Sequence, residues 1–192
     1  MSRTIELLKN YVPYNEQEAK DKQYFIDCER KNQILTRENE LCHLCSSAFI
    51  INKNHNKVLC IYHNIYNSWS WVGGHADGDD DMLYVAKKET QEETSIKNFR
   101  VLYKQPISID SLPVAGHFKR GKYVSAHTHL SFAYLFEADE SETIHIKEDE
   151  NSKIGWLTFN ELLSKSTEPH MILVYKKILE KIDKLIKENK IM

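Results

Sequence analysis

Three carboxylates, Glu89, Glu92 and Glu93, stand at i, i+3 and i+4 downstream of a glycine pair, Gly73-Gly74. His75, Asp77, Gly78 and the acids Asp79 to Asp81 lie between. A helix capped by Asp79 or Asp80 and running to about Thr94 starts an apolar stripe at Met82 and Ala86. With side chains rotating by about 100° per residue, Glu89 and Glu93 fall roughly 20° to either side of Met82. They continue the packing face, while Tyr84, Lys87, Lys88 and Gln91 point outward. Unpaired carboxylates there are costly to desolvate and repel each other unless a cation offsets them. Such oxygen ligands suit Mg²⁺ or Mn²⁺, which commonly share them with substrate phosphates. A solvated acidic face is the competing reading, and it needs these glutamates exposed or paired with lysines. Gly73-Gly74 lets the backbone turn tightly and present amides ahead of the helix.

Fewer signals lie elsewhere. Cys42 and Cys45 form a CxxC around His43, but no second ligand pair follows nearby, so reduced structural thiols are expected. Cys60, within an apolar run, reads as core. His127 and His129 share one strand face, and can line a cleft or face solvent. No third ligand is indicated for a transition metal. Lys119, Arg120 and Lys122 flank Gly121 in a small basic loop that can contact a phosphate or stand as a solvated turn. Trp69 and Trp71 can stack on a ring, with Trp71 better suited to the core.

The elements that position these residues can be read in order. Two helices are expected before residue 40, the second starting at Asn15 after Pro13 and running to about Lys31. Strands follow at Ser46 to Asn52, Lys57 to His63, around Trp69 and Trp71, Arg100 to Gln105, Tyr123 to Ala138, and Ile154 to Thr158. In the longest of these, Leu130, Phe132, Tyr134 and Phe136 share one face. Glu168-Pro169 opens a last helix whose stripe is Ile172, Tyr175, Leu179, Ile182 and Ile186, a face that can also serve a homodimer. Strands interleaved with helices predict an α/β (α+β) layered fold.

A chain of 192 residues is most simply one globular domain with a short appendage. Hydrophobic residues at 41% and charged residues at 28% exclude disorder. The net charge of −2 excludes bulk attraction to nucleic acid or anionic membrane, so a polyanionic ligand must be held locally. No apolar run is long enough to span a bilayer. The opening MSRTIELLKNYVPYN has no signal-peptide segment, and a cytoplasmic protein is expected.

The stretch Gly74 to Ile96 resembles the signature of the Nudix hydrolases, G-x5-E-x7-R-E-U-x-E-E-x-G-U, with U a bulky apolar residue. Gly74, Glu89, Glu92, Glu93 and Ile96 match. Asp80 stands for the first glutamate, Lys88 for arginine, Thr90 for the apolar position and Ser95 for the last glycine. Glu150 ahead of Trp156 is similar to an acidic-then-tryptophan pattern late in that fold. The resemblance implies a Nudix-like α/β/α sandwich around a mixed β-sheet over residues 45–192, preceded by an N-terminal helical extension over 1–44. It implies a Mg²⁺-dependent pyrophosphohydrolase acting on a small-molecule diphosphate, usually a nucleoside diphosphate derivative. Glu89, Glu93, Glu92 and the Gly74 carbonyl would be metal ligands, with Glu92 or Glu89 as general base. Glu150 is a further candidate for metal or base, and His127, His129 and Arg120 are candidates for the substrate. Asp80 and Lys88 keep the signs of the family's bracing pair, but an ammonium is a looser brace than a guanidinium fork. The alternative is a catalytically weakened Nudix-like binding or regulatory module.

Overall fold

Two helices, α1 (Arg3–Asn10) and α2 (Glu16–Lys31), open the chain in the computed structural model, which describes residues 2–31, 33–119, 121–147 and 151–191. Ser2 caps α1 by accepting from the Ile5 amide at 3.3 Å. Asn15 does the same for α2 through Glu18 N (2.9 Å), as its residue type suggests. Then come β1 (Cys42–Asn52), β2 (Lys57–His63), β3 (Ser68–Ser70), β4 (Val72–His75), α3 (Met82–Thr94), β5 (Phe99–Val114), β6 (His117–Lys119), β7 (Lys122–Val124), β8 (His127–Ala138), β9 (Asn151–Thr158), α4 (Phe159–Lys165) and α5 (Pro169–Lys187).

Seven strands form one mixed sheet and β6-β7 a separate hairpin. β1 and β8 run parallel at its centre, with β5 antiparallel beyond β8 at the edge. The other side of β1 is shared. It pairs with β4 over Cys45 to Ala48, then with β2 over Ile50 and Ile51. The sheet therefore parts between β4 and β2, which opens a cleft beside the N-terminal half of β1.

Alternation along the strands feeds two cores. Leu44, Ala48, Ile50, Leu130, Phe132 and Tyr134 pack under α1, α2 and α3. Phe49, Ile51, Val58, Cys60, Ala133 and Leu135 pack under α4 and α5. That is the α/β/α sandwich around a mixed sheet that the sequence implied.

Several boundaries differ from expectation. β1 starts at Cys42, four residues before Ser46, because its parallel pairing with β8 begins at Cys42–Thr128. The expected strand from Tyr123 is two, since the chain leaves hairpin β6-β7 before β8 starts at His127. β5 is the longest strand, carried to Val114 by its register with β8; as an edge strand it tolerates Pro106 and Pro113. Asp81, not Asp79 or Asp80, caps α3, accepting from Tyr84 N at 3.0 Å. Helix α4 was not anticipated, although Thr158 and Glu161 make a capping box at its start. On α5 the buried stripe is Met171, Val174, Tyr175, Ile178, Ile182 and Leu185, while Ile186 is 37% exposed. That stripe packs on the chain's own sheet, so it is not a free face for a second copy.

Helices α2 and α5 meet around the edge strand β5 through a buried ionic network. Glu18, fully buried, accepts from Tyr11 Oη (2.7 Å) and Tyr14 N (2.7 Å) and lies 3.1 Å from both Lys177 Nζ and Lys181 Nζ. Asp110 on β5 takes the other side of Lys177. Burial alone would raise the Glu18 carboxyl, but Lys181 and Lys177 outweigh it and hold it below its ordinary value.

Candidate active site

Helix α3 stands against β4 and β1 and delivers its carboxylates to the cleft. Its phase is the one the sequence implies: Met82, Val85, Ala86, Thr90 and Glu93 are buried, and Tyr84, Lys88 and Gln91 are exposed. Thr90, in the apolar position, is buried without penalty because its hydroxyl donates to the Ala86 carbonyl at 2.8 Å. Ser95 ends the helix in the left-handed region (φ 62°) where glycine is preferred. Relief of a non-glycine αL residue, offset by glycine's larger backbone entropy, makes Ser95→Gly stabilising by about 0.5–1 kcal/mol. A thermal melt of the variant checks this.

Glu93 is 5% exposed, and its two oxygens are held separately. Oε2 accepts from Gly73 N (3.0 Å) and Oε1 from Asn151 Nδ2 (3.2 Å). Burial, with Glu89 nearby, lifts its carboxyl to about 7 despite those two donors. Glu89 is half-buried; burial and then Glu92 raise it too, against Lys147 and Lys88. A Cβ built on Gly74 would sit 2.7 Å from Glu89 Oε1 and nearer still to the carboxyl carbon. The glycine is therefore needed for the close approach of carboxylate to backbone. Gly74→Ala must push Glu89 aside; with Glu89 in the catalytic role that the signature implies, a displacement of an ångström is expected to cost about 100-fold in turnover. Steady-state kinetics beside an unchanged melting temperature is the check.

Glu92 lies at the rim, exposed, with Lys88 Nζ 3.9 Å from its Oε1. The Lys88–Asp80 brace that the signature suggests is not formed. Asp80 instead faces Arg3 at 3.7 Å, and Lys88 turns to Glu92. A different fork stiffens the loop: Arg37 donates from Nε and Nη2 to the two oxygens of Asp77 (2.8 and 2.7 Å), and Gly78 N donates to the Leu35 carbonyl at 2.9 Å. The segment before β1 thus takes over bracing that the signature places within the helix motif.

The same cleft, about 610 Å³ in volume, is lined by Gly73, Gly74, Glu89, Glu92, Glu93 and Lys147. Histidines line it too. His127 and His129 face this cleft rather than open solvent, and His43 and His75 join them. His129 is held well below the ordinary imidazole range, at about 2, by burial and then by His75 and the other rings. The CxxC does not act as a unit. Its cysteines are three apart on a strand and point to opposite faces, Cys42 to the helix side with Cys28 and Cys45 to the histidines. All four cysteines are free thiols. Trp71 is buried edge-to-face against Tyr175 (5.6 Å) and belongs to the core. Arg120, the other candidate for the substrate, and Glu150, the further candidate for metal, base or substrate, lie outside the described residues.

This geometry can be set beside known proteins. The profile of the NUDIX domain matches residues 43–178. The chain belongs to the Nudix family. Among solved structures, a C. elegans Ap4A hydrolase superposes with a TM-score of 0.55 at 15% identity, over 76% of this chain and 98% of that one. An E. coli dihydroneopterin triphosphate pyrophosphohydrolase gives 0.52 at 14% identity, over 71% and 94%. A NUDIX hydrolase from Clostridium perfringens gives 0.50 at 18%, over 73% and 97%. No curated protein matches the chain by sequence. These likenesses establish the Nudix fold, and the family is one of hydrolases. Among the described residues no helix is long and apolar enough to cross a membrane.

Proposed function

We propose that this Nudix protein hydrolyses a diphosphate linkage in a nucleoside diphosphate derivative or similar small molecule, with Mg²⁺ or Mn²⁺ as cofactor. One observation carries the reading: the buried carboxylate of Glu93 and the half-buried one of Glu89 converge on Gly73-Gly74 in the wall of a large cleft. The donor set fits a hard cation, being all oxygen, and burial together with a neighbouring carboxylate raises Glu89 and Glu93 above the ordinary carboxylate value. Glu93, Glu89, Glu92 and the Gly74 carbonyl would hold the ion, which when bound would neutralise the diphosphate and acidify water.

The chain's own groups supply the rest. Gly73 N and Asn151 Nδ2 fix the Glu93 carboxylate, so it does not reorganise during the reaction. Glu89, half-buried and of raised proton affinity, takes the proton of the attacking water at a carboxylate oxygen. Lys147, half-buried at the cleft wall beside the carboxylates, offers a positive charge to the leaving phosphate. Glu92 at the rim is the alternative base.

Hydrolysis of a panel of nucleoside triphosphates, sugar nucleotides, dinucleoside polyphosphates and coenzymes, with Mg²⁺ and Mn²⁺ compared, tests this. Metal-dependent phosphate release that disappears in Glu93→Gln supports it. Tight binding of such compounds without turnover would replace it with the regulatory-module reading.

A further inference from the structure

The strand register makes a second cluster that the diphosphate chemistry does not use. Cys45 pairs across to His75 on β4, and His43 pairs across to His129 on β8. Because His43 and Cys45 are two apart on β1, all four side chains project from the same face of three adjacent strands. One ligand atom from each, nitrogen or sulfur, lies within 4.8 Å of the others.

Two features mark this as more than a crowd of rings. His43 is 4% exposed, and its Nδ1 stands 3.0 Å from the Asn39 carbonyl oxygen, so that nitrogen carries the proton. The other nitrogen, Nε2, is buried with no hydrogen-bond partner among the described residues. A lone pair is thus fixed, dry and unused. His129, in turn, is held from outside: its Nε2 is 3.2 Å from His127 Nε2, and His127 Nδ1 donates to the Ser125 carbonyl at 2.8 Å. Outer partners that set tautomer and ring orientation are what metal-bound imidazoles normally have.

We propose that His43, Cys45, His75 and His129 form a transition-metal centre of the zinc class, distinct from the carboxylate site in the same cleft. One thiolate and three neutral imidazoles are a borderline-soft set, which selects Zn²⁺, Co²⁺ or Ni²⁺ over Mg²⁺. Tetrahedral zinc with bonds of about 2.0–2.3 Å places ligand atoms about 3.4–3.7 Å apart, so loading draws the cluster inward by about an ångström. The Cys45 thiol gives up its proton to bind, as zinc-bound thiols do. Four protein ligands close the centre. Its role is to pin β4 to β1 and β8, and so to hold Gly73-Gly74 in place opposite Glu89 and Glu93.

The test is a titration of chelator-stripped full-length protein with Co²⁺, read by absorbance. The expected result is an equimolar complex with intense tetrahedral d–d bands and a thiolate-to-cobalt charge-transfer band, displaced by Zn²⁺ and not by excess Mg²⁺. Cys45→Ser removes the charge-transfer band, His129→Gln weakens binding further than the 10–100-fold expected for the outer partner His127→Gln, and Glu93→Gln changes neither. Circular dichroism of each metal-free variant establishes that the fold persists, and Zn²⁺ raises the melting temperature of wild type but not of Cys45→Ser. A weak octahedral cobalt spectrum, or one insensitive to both Cys45→Ser and His129→Gln, overturns the proposal. So does a spectrum lost in Glu93→Gln.

Discussion

Glu93→Gln should abolish turnover while making the metal-free protein more stable at alkaline pH. Loss of one preorganised electrostatic group in a dry site costs about 10²–10³-fold in kcat, and more where that group also holds the cation. The fold should accept the change. Gln Oε1 can keep the bond from Gly73 N, and Asn151 Oδ1, buried and unpartnered among the described residues, can accept from the new amide once Asn151 flips.

Stability moves the other way for a definable reason. Burial raises the Glu93 carboxyl from 4.5 to about 7 in the folded chain. A raised carboxyl favours the folded state below about pH 4.5, and that contribution is lost as pH rises through about 7. Above 7 the ionised group costs on the order of 3 kcal/mol, at about 1.4 kcal/mol per decade of proton affinity. The melting temperature of Glu93→Gln relative to wild type should then be near zero at pH 4.5 and positive by roughly 6–12 °C at pH 8, in chelator. Saturating Mg²⁺ should close the gap by offsetting the charge. A difference that stays flat from pH 4.5 to 8 would refute the buried, cation-seeking Glu93.

How far these residues could be read from sequence depended on whether their neighbours in space were also neighbours along a regular element. Glu89, Glu93 and Met82 lie on one helix, so 3.6-residue periodicity sufficed to place them inward. The layered fold was legible for a similar reason, since the apolar run in β2 and the period-two apolar residues of β8 mark the sheet. The His/Cys cluster was not, because its members come from three strands and meet only through register. A signal did exist. His43, Cys45 and Ser47 alternate with the apolar Leu44 and Ala48, which would have extended β1 back to Cys42. Polar residues in a strand lower its apparent β character, and here they are polar because the face they line is a cleft. The bracing Arg37–Asp77 fork was equally hidden, since Arg37 precedes the first strand and no local pattern links it to the loop.

Removal of Glu18 should be the most destabilising single change away from the cleft. Glu18→Ala leaves Lys181 without a carboxylate, leaves Lys177 with Asp110 alone, and strips the acceptor from Tyr11 Oη and Tyr14 N. Breaking a buried pair by removing one partner costs about 3–5 kcal/mol, because the remaining charge is buried and uncompensated. For a chain of 192 residues that is a fall in melting temperature of roughly 6–20 °C. The deficit should narrow in acid. Lys181 and Lys177 hold the carboxyl below its ordinary value, so its stabilisation is present above about 4.5 and disappears as pH falls through the lowered value. A neutral double replacement, Glu18→Leu with Lys181→Met, should recover most of the loss, since well-packed apolar groups can replace a buried ion pair. The kinetics of the folded fraction should stay unchanged, as Glu18 sits on the far side of β5 from the carboxylates. If Glu18→Ala melts within a degree or two of wild type, α2 is only loosely attached and the segment before β1 is a detachable extension; a large fall makes that helix part of the structure that supports the Nudix sheet.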